Sequence, residues 1–360
     1  MNTTSLLAGV KVVELATVLA GPAVGRFFAE LGAEVVKIEN PHTGGDVTRS
    51  WKLPSEPPAP SISAYYASVN QGKKVVFADL GSPEGQQTLH QLLADADVLL
   101  VNFKPGDDIK FGVSHAQLAA RYPRLIYGHI TGYGNQNPRT AFDLVLQAET
   151  GFMSMNGTPE SGPLKMPVAL IDLLAAHQLK EGILVALLQR AQHNRGSYVH
   201  VSLFDAAVAS LANQAGNWLM AGHNPGLQGS LHPNIAPYGE TFRCSDERYM
   251  VIAAGNDRQY AGLCQAAGLP HLATDPRFAT NSQRVANRTA LTAYFIPFFA
   301  RQSAGEILPL LEQNQVPAAI IHTVAEVLER EESTHLIDNQ NIENNPARAV
   351  KTVAFDLTIT

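Results

Sequence analysis

Val10-Lys-Val-Val-Glu-Leu15, then Gly21-Pro22 leading to apolar residues at Val24, Phe27, Phe28 and Leu31, then Glu34-Val-Val-Lys-Ile38, follow one another with two changes of hydrophobic period. The outer runs are short and β-branched, as strands are, and the middle positions recur at the spacing of one helix face. Gly32 stands where helices commonly end on a left-handed residue. The pattern then repeats. Val75-Val-Phe77, Asp97-Val-Leu-Leu-Val101 and Arg124-Leu-Ile-Tyr127 read as strands, with helices over 84–94 and near 115–121 between them. Strand and helix in alternation predict an α/β fold with a parallel, doubly wound sheet. Ligands of such sheets bind in the crevice at the carboxyl ends of the strands.

Beyond the repeat, Pro54 to Pro60 is an extended, proline-rich loop. Ala176, Leu179, Ile183, Ala186, Leu187 and Arg190 follow helical spacing, which predicts a long helix from Leu173 to Arg190 with Gly182 permitting close approach of another backbone. A strand over 197–203 and a second helix from Asp205 to Met220 follow. Residues 221–237 are dense in Gly, Pro and Asn and read as a long loop of the functional kind. A strand pair (Glu240 to Cys244, Tyr249 to Ala253) and helices near 258–267, 288–301 and 304–313 form a second, smaller α/β lobe. The stretch from Val350 leads back over the first lobe.

Composition narrows the function. The chain has 360 residues, with Lys+Arg 26 against Asp+Glu 32 and a net charge of −6. That balance supplies no basic field for a nucleic-acid backbone. With 45% hydrophobic and 16% charged residues, the chain has ample material for a core and is not a disordered sequence. No apolar run reaches the ~18 residues of a membrane span. Lys11 and Glu14 interrupt the apolar N-terminus, so it does not read as a signal peptide. Two cysteines, Cys244 and Cys264, build neither a disulfide framework nor a zinc site, and no metal is expected. The class is a soluble, cytoplasmic enzyme or binding protein.

Most standard signatures are absent. There is no G-x-G-x-x-G after the first strand, no G-x-x-x-x-G-K-[ST] and no G-x-S-x-G, which disfavours dinucleotide, P-loop and α/β-hydrolase chemistry. The most informative residue is Asp172, a carboxylate inside Met166-Pro-Val-Ala-Leu-Ile-Asp172-Leu-Leu-Ala-Ala, entering the long helix. An aspartate there caps the first free amides and is favoured by the helix dipole. A carboxylate so held stays ionised near neutrality with its lone pairs aimed, which also suits a nucleophile. The two readings are compatible.

At this point the chain resembles a known family. Gly9 to Pro22, Leu31-Gly-Ala-Glu-Val-Val-Lys-Ile-Glu39, Gly45-Asp-Val-Thr-Arg49, Asn102-Phe-Lys-Pro-Gly106, Gly132-Tyr-Gly134, Phe142-Asp-Leu-Val-Leu-Gln147 and Asn194-Arg-Gly196 resemble the family III CoA-transferases of the CaiB/BaiF type. The likeness continues through Asn234 to Gly239, Gly255-Asn-Asp257, Asp275-Pro-Arg-Phe278 and Val316-Pro317, nearly the whole chain in one order. The resemblance implies an open Rossmann-like lobe over 1–220 that binds CoA and carries the catalytic aspartate. It also implies a small α/β lobe over 221–335, a return to the large lobe over 336–360, and an interlocked homodimer.

By the same resemblance Asp172 falls on the catalytic aspartate. It would attack an acyl-CoA thioester, pass through a mixed anhydride and hold CoA as an aspartyl thioester. Coenzyme A and acyl-CoA are then substrates, with no permanently bound cofactor. The implied CoA contacts are Val18 and Leu19 after the first strand, Asn40 after the second, and Ala78, Asp79, Leu80 and Gly81 after the third. Asn102, Phe103 and Lys104 follow the fourth strand, then Lys110, and finally Thr140, Ala141, Phe142 and Asp143. Leu19 stands where the family's formyl-CoA transferases carry glutamine, and Asn40 and Lys110 where they carry arginine. Lys104 and Lys110 read equally well as solvated surface charges, and Arg49 and Lys73 are weaker candidates.

Two departures bear on the reaction. The family's racemases carry a histidine at the position of Phe142. Phenylalanine cannot exchange a proton, so two-base epimerisation loses a partner, while transfer needs only the carboxylate. Around Gly226 to Pro233 the glycine-rich run of formyl-CoA transferases is missing, which disfavours oxalate and formyl-CoA. His129, His177 and His232 are not expected to act as catalytic bases. Three functions stay open: CoA transfer first, then an acyl-CoA racemase or epimerase, then a CoA-binding protein without turnover.

Overall fold

β1 (Lys11–Glu14) lies at the heart of a six-stranded sheet with β2 (Glu34–Glu39), β3 (Lys74–Phe77), β4 (Val98–Val101), β5 (Ile126–Thr131) and β6 (Tyr198–Ser202). The order is β3-β2-β1-β4-β5-β6 and every pairing is parallel. The computed structural model describes residues 6–58 and 62–358. Ala59 and Pro60, the end of the proline-rich loop, lie outside the described residues.

The alternation within the strands decides which helix covers which face. Val12, Val35, Val98 and Leu100 pack with α1 (Ala20–Glu30) and the long α6 (Leu170–His193), whose first turn starts ahead of the expected Leu173. Their neighbours Val13, Ile38, Leu99 and Val101 pack in a second cluster on the opposite face, with α3 (Pro83–Leu93) and α4 (His115–Ala119). A parallel sheet covered on both faces needs such near-continuous apolar strands. α1 ends as its glycine predicts. Gly32 has φ +93°. Its N–H bonds Ala29 O at 3.0 Å, and Ala33 N–H bonds Phe28 O at 3.0 Å, a Schellman closure.

Gly182 of α6 serves a closer contact than expected, and of a different kind. A Cβ there would lie 2.5 Å from Val199 Cγ1, so its partner is a β6 side chain rather than a backbone. The single helix expected over 205–220 is two, α7 (Leu203–Ala209) and α8 (Ala212–Ala221), separated by a break at which Ala212 takes φ +45°.

The chain divides into two compact units. One comprises the residues up to Phe152, Lys165–Ala215 and Glu331 onward; the other comprises Met153–Leu164 and Gly216–Arg330. Against the expected division at 220 and 335, the segment 153–164 belongs to the second unit and the return to the first begins at Glu331. In the second unit β7 (Tyr238–Arg243), β8 (Tyr249–Ala253) and β9 (Ala318–Ile320) form an antiparallel sheet. Phe242 and Phe299 stack at 4.2 Å in its core, where Cys244 and Cys264 are buried free thiols. In the first unit the hairpin β10 (Ile337–Ile342) and β11 (Asn345–Val350) covers α2 (Ala64–Asn70) through Ile342 and Ala347 against Tyr66. Beyond it Thr352 N–H bonds Glu30 Oε2 at 2.8 Å. Among the described residues no helix is long and apolar enough to cross a membrane.

Candidate active site

Strand order reverses between β1 and β4, so their carboxyl ends open a crevice of the kind where α/β sheets bind ligands. A cleft of about 670 Å³, open to solvent, occupies it. The loop after β1 lines it with Val18 and Leu19, the loop after β4 with Asn102, Phe103 and Lys104. Ala141, Phe142 and Asp143 enter from the start of α5 (Asp143–Glu149), and Asp172 from the start of α6. A neighbouring cleft shares Thr17 and Phe103 with the first and is lined by Asn40, Ala78, Asp79 and Leu80 at the ends of β2 and β3. The sheet thus brings together, on one edge, residues scattered from 18 to 172.

Asp172 is not the cap of its helix. The N-cap position is Ala169, whose side chain can accept nothing, and Asp172 lies inside the first turn. The cap comes from elsewhere: Asp143 Oδ1 accepts the N–H of Ile171 at 2.8 Å. Asp143 Oδ2 accepts Gln147 Nε2 at 2.7 Å, and Gln147 Oε1 accepts Met166 N–H at 2.8 Å. Asp143 thus caps α6 through one oxygen and holds Gln147 through the other, while it also lines the cleft.

Asp172 is only 8% exposed, yet its carboxylate makes no hydrogen bond or ion pair among the described residues. Burial first, and the charge of Asp143 second, push its pKa up to about 7. The expectation of a carboxylate firmly ionised at neutrality is corrected accordingly. Burial without compensating partners outweighs the helix dipole. A desolvated, unpartnered carboxylate in a cleft is costly to maintain and poised to react.

Several other expected contacts serve the protein. Asn102 Oδ1 accepts Thr17 N–H at 3.1 Å and its Nδ2 donates to Thr17 O at 2.8 Å, so its amide ties the β4 loop to the β1 loop. Asn40 Oδ1 accepts His42 N–H at 2.9 Å and Asp79 Oδ1 accepts Gly81 N–H at 2.9 Å, each shaping its own turn. Lys104 donates to Thr140 Oγ1 at 2.8 Å, which leaves Thr140 as a support for a lining residue. Gly81, Thr140 and Lys110 line neither cleft. Lys110 is exposed, its ammonium 5.3 Å from the ring centre of Phe111, which does line the second cleft.

The weaker cation candidates are internal. Arg49 pairs with Glu39 at 2.6 Å and Glu343 at 2.8 Å, and Lys73 with Glu14 at 2.8 Å. Of the histidines, His177 is exposed, and His232 accepts Asn234 N–H in the second unit. His129 is buried, donates Nε2–H to Phe103 O at 3.0 Å and lies 3.0 Å from Tyr198 Oη; burial lowers its pKa. It braces the β4 loop from behind. Thr17, Thr131, Gly132, Arg139 and Leu203 also line the first cleft and were not expected. Thr131, Gly132 and Leu203 sit at the carboxyl ends of β5 and β6, where the rule of strand ends could have found them.

The family model for CoA-transferase family III matches residues 7–358. Succinate--glutarate CoA-transferase of Agrobacterium fabrum is 37% identical over 327 residues, 89% of this chain and 81% of that protein. Human succinyl-CoA:glutarate CoA-transferase is 32% identical, over 93% of this chain and 76% of its own. Among solved structures, a CAIB/BAIF family protein from Brucella suis superposes with a TM-score of 0.85 at 39% identity, covering 98% of this chain and 93% of that one. Rv3272 from Mycobacterium tuberculosis superposes at 0.84 with 31% identity, covering 99% and 94%. With the family model spanning almost every residue and close likeness over the whole α/β fold, this chain belongs to CoA-transferase family III.

Proposed function

We propose that the protein moves CoA between carboxylic acids through covalent catalysis by Asp172. The observation that carries this is the Asp172 carboxylate: buried, unpartnered, with a pKa near 7, and facing a cleft at the start of α6. Its ionised oxygen attacks the thioester carbonyl carbon of the donor acyl-CoA. The C–S bond breaks, and CoA thiolate leaves with the electron pair, giving an acyl–aspartyl anhydride. The thiolate then attacks the aspartyl carbonyl and the donor carboxylate departs, leaving an aspartyl-CoA thioester. An acceptor carboxylate reverses both steps and restores Asp172. One carboxylate and one thioester enter and one of each leave, so no proton, metal or redox partner is consumed.

Relatives named for succinate and glutarate, D-citramalate and mesaconate point to short dicarboxylic acids as the substrates. Lys104, whose ammonium has only the neutral Thr140 hydroxyl as a partner among the described residues, places a cation on the same cleft as Asp172, which favours anionic acids, whereas the Arg139 guanidinium is paired with Glu149. Phe142 is 54% exposed and lines that cleft, so the position at which the family's racemases carry histidine holds no proton-transfer group here. This favours transfer over epimerisation. Exposed Trp218, Leu219 and Met220 on α8 support a homodimer.

The test is intact-protein mass spectrometry after incubation with a panel of acyl-CoAs, followed by hydroxylamine trapping and peptide mapping. The expected result is a donor-dependent CoA adduct on Asp172, absent from Asp172→Asn. No adduct with any donor, while CoA still binds, refutes the covalent route.

A further inference from the structure

The Gly45-Asp-Val-Thr-Arg49 run has no part in the chemistry above, yet its Asp46 is 2% exposed and saturated with donors. Oδ1 accepts Thr48 N–H at 3.0 Å and Thr48 Oγ1 at 2.8 Å. Oδ2 faces Val18 N–H at 3.2 Å and Lys37 Nζ at 3.1 Å. Lys37 is fully buried; its ammonium also donates to Glu14 Oε1 at 2.9 Å and to Ala16 O at 2.6 Å. The same charged pair thus grips the β1 loop at both Ala16 and Val18, and Asn102 holds Thr17 between them. Val18 has φ +70°, a left-handed conformation that a β-branched residue keeps only when its surroundings impose it.

We propose that Asp46, acting with Lys37, is a positioning residue for the transfer reaction: it clamps the Val18 amide in the left-handed turn that forms the wall of the Asp172 cleft. This rests on the transferase reading for its catalytic consequence, though not for the clamp. The design is costly unless used, because a buried ion pair stabilises a fold little compared with apolar packing. What it supplies is fixed geometry in a loop that has no regular secondary structure to fix it, and misplacement near 1 Å at a reacting centre can cost about 10²-fold in rate.

Asp46→Asn is the direct test. In either amide orientation an NH₂ group replaces an oxygen that now faces donors, Val18 N–H and Lys37 on one side or Thr48 on the other. The expected result is a fall in kcat of about tenfold or more with a smaller change in KM for acyl-CoA. In the same variant, hydrogen exchange is faster in the peptide containing Val18. The control is Glu343→Gln, which removes a partner of Arg49 without touching residues 16–19. Equal kcat losses in Asp46→Asn and Glu343→Gln at matched Tm would overturn the proposal. So would unchanged exchange at Val18. Wild-type protein that forms no Asp172 adduct refutes the transferase reading instead, and leaves the exchange measurement to judge the clamp.

Discussion

Replacing Asp172 with asparagine should abolish CoA transfer and at the same time stabilise the protein, by an amount that depends on pH. In the folded protein burial and Asp143 raise the Asp172 pKa from its ordinary 3.8 to about 7. Between those values the native state keeps a proton that the unfolded chain has released, so stability falls as pH rises. The contribution is whole below pH 3.8 and lost once pH passes about 7. At 1.36 kcal/mol for each pH unit, the interval corresponds to roughly 4 kcal/mol as an upper figure. Asparagine has a similar shape and no charge to desolvate, so it escapes this loss. In a domain of 150–250 residues each kcal/mol moves Tm by about 2–4 °C. Calorimetry of wild type and Asp172→Asn at pH 4.5, 6 and 8 should therefore show a small gap at the lowest pH that widens by several degrees in favour of the variant. Wild-type transfer activity should rise over the same range, half-maximal near pH 7, because only the carboxylate is nucleophilic. A gap that does not change with pH, or a wild type more stable than the variant at pH 8, would refute the reasoning.

Asp143→Asn removes the neighbouring charge while keeping an acceptor for Ile171 N–H, so the acidic limb of the kcat profile should move to lower pH; a limb that stays in place would show that Asp143 does not bear on Asp172. Asp143→Ala also deletes the cap of α6 and should cost about 1–2 kcal/mol in urea unfolding. Asn102→Ala breaks both bonds to Thr17, which are solvent-exposed so that water takes their place, and should cost only about 0.5–1.5 kcal/mol while raising KM for acyl-CoA in steady-state kinetics. Gly182→Ala should destabilise by about 1–3 kcal/mol despite alanine's better helix propensity, because its Cβ would meet Val199 Cγ1 at 2.5 Å; thermal melting decides the sign.

Much of the scaffold is legible from local pattern. The runs around Val12, Val35 and Val98 are β-branched and short, the positions Val24, Phe27, Phe28 and Leu31 share one helix face, and Gly32 closes it, all properties of neighbouring residues. Asp172 is visible for the same reason, as one carboxylate in an apolar run. The helix expected over 205–220 fails because the break at Ala212 carries no glycine or proline to announce it. That Asp143 caps α6 and Asp46 holds the Val18 amide is not legible, since neither position reveals what its oxygens will meet.

The order of strands and helices, the two-sided burial of the sheet and the presence of a carboxylate, Asp172, inside an apolar run follow from the sequence by itself, because periodicity and burial cost act over a few residues. Only tertiary structure decided how that carboxylate behaves. Ile171 is capped from 28 positions away, and Thr17 is held from 85 positions away. The pKa of Asp172 depends on Asp143 and on how completely the surrounding fold excludes water. Electrostatics and hydrogen bonding act through space with distance and dielectric, and neither quantity is written in the order of residues along a chain.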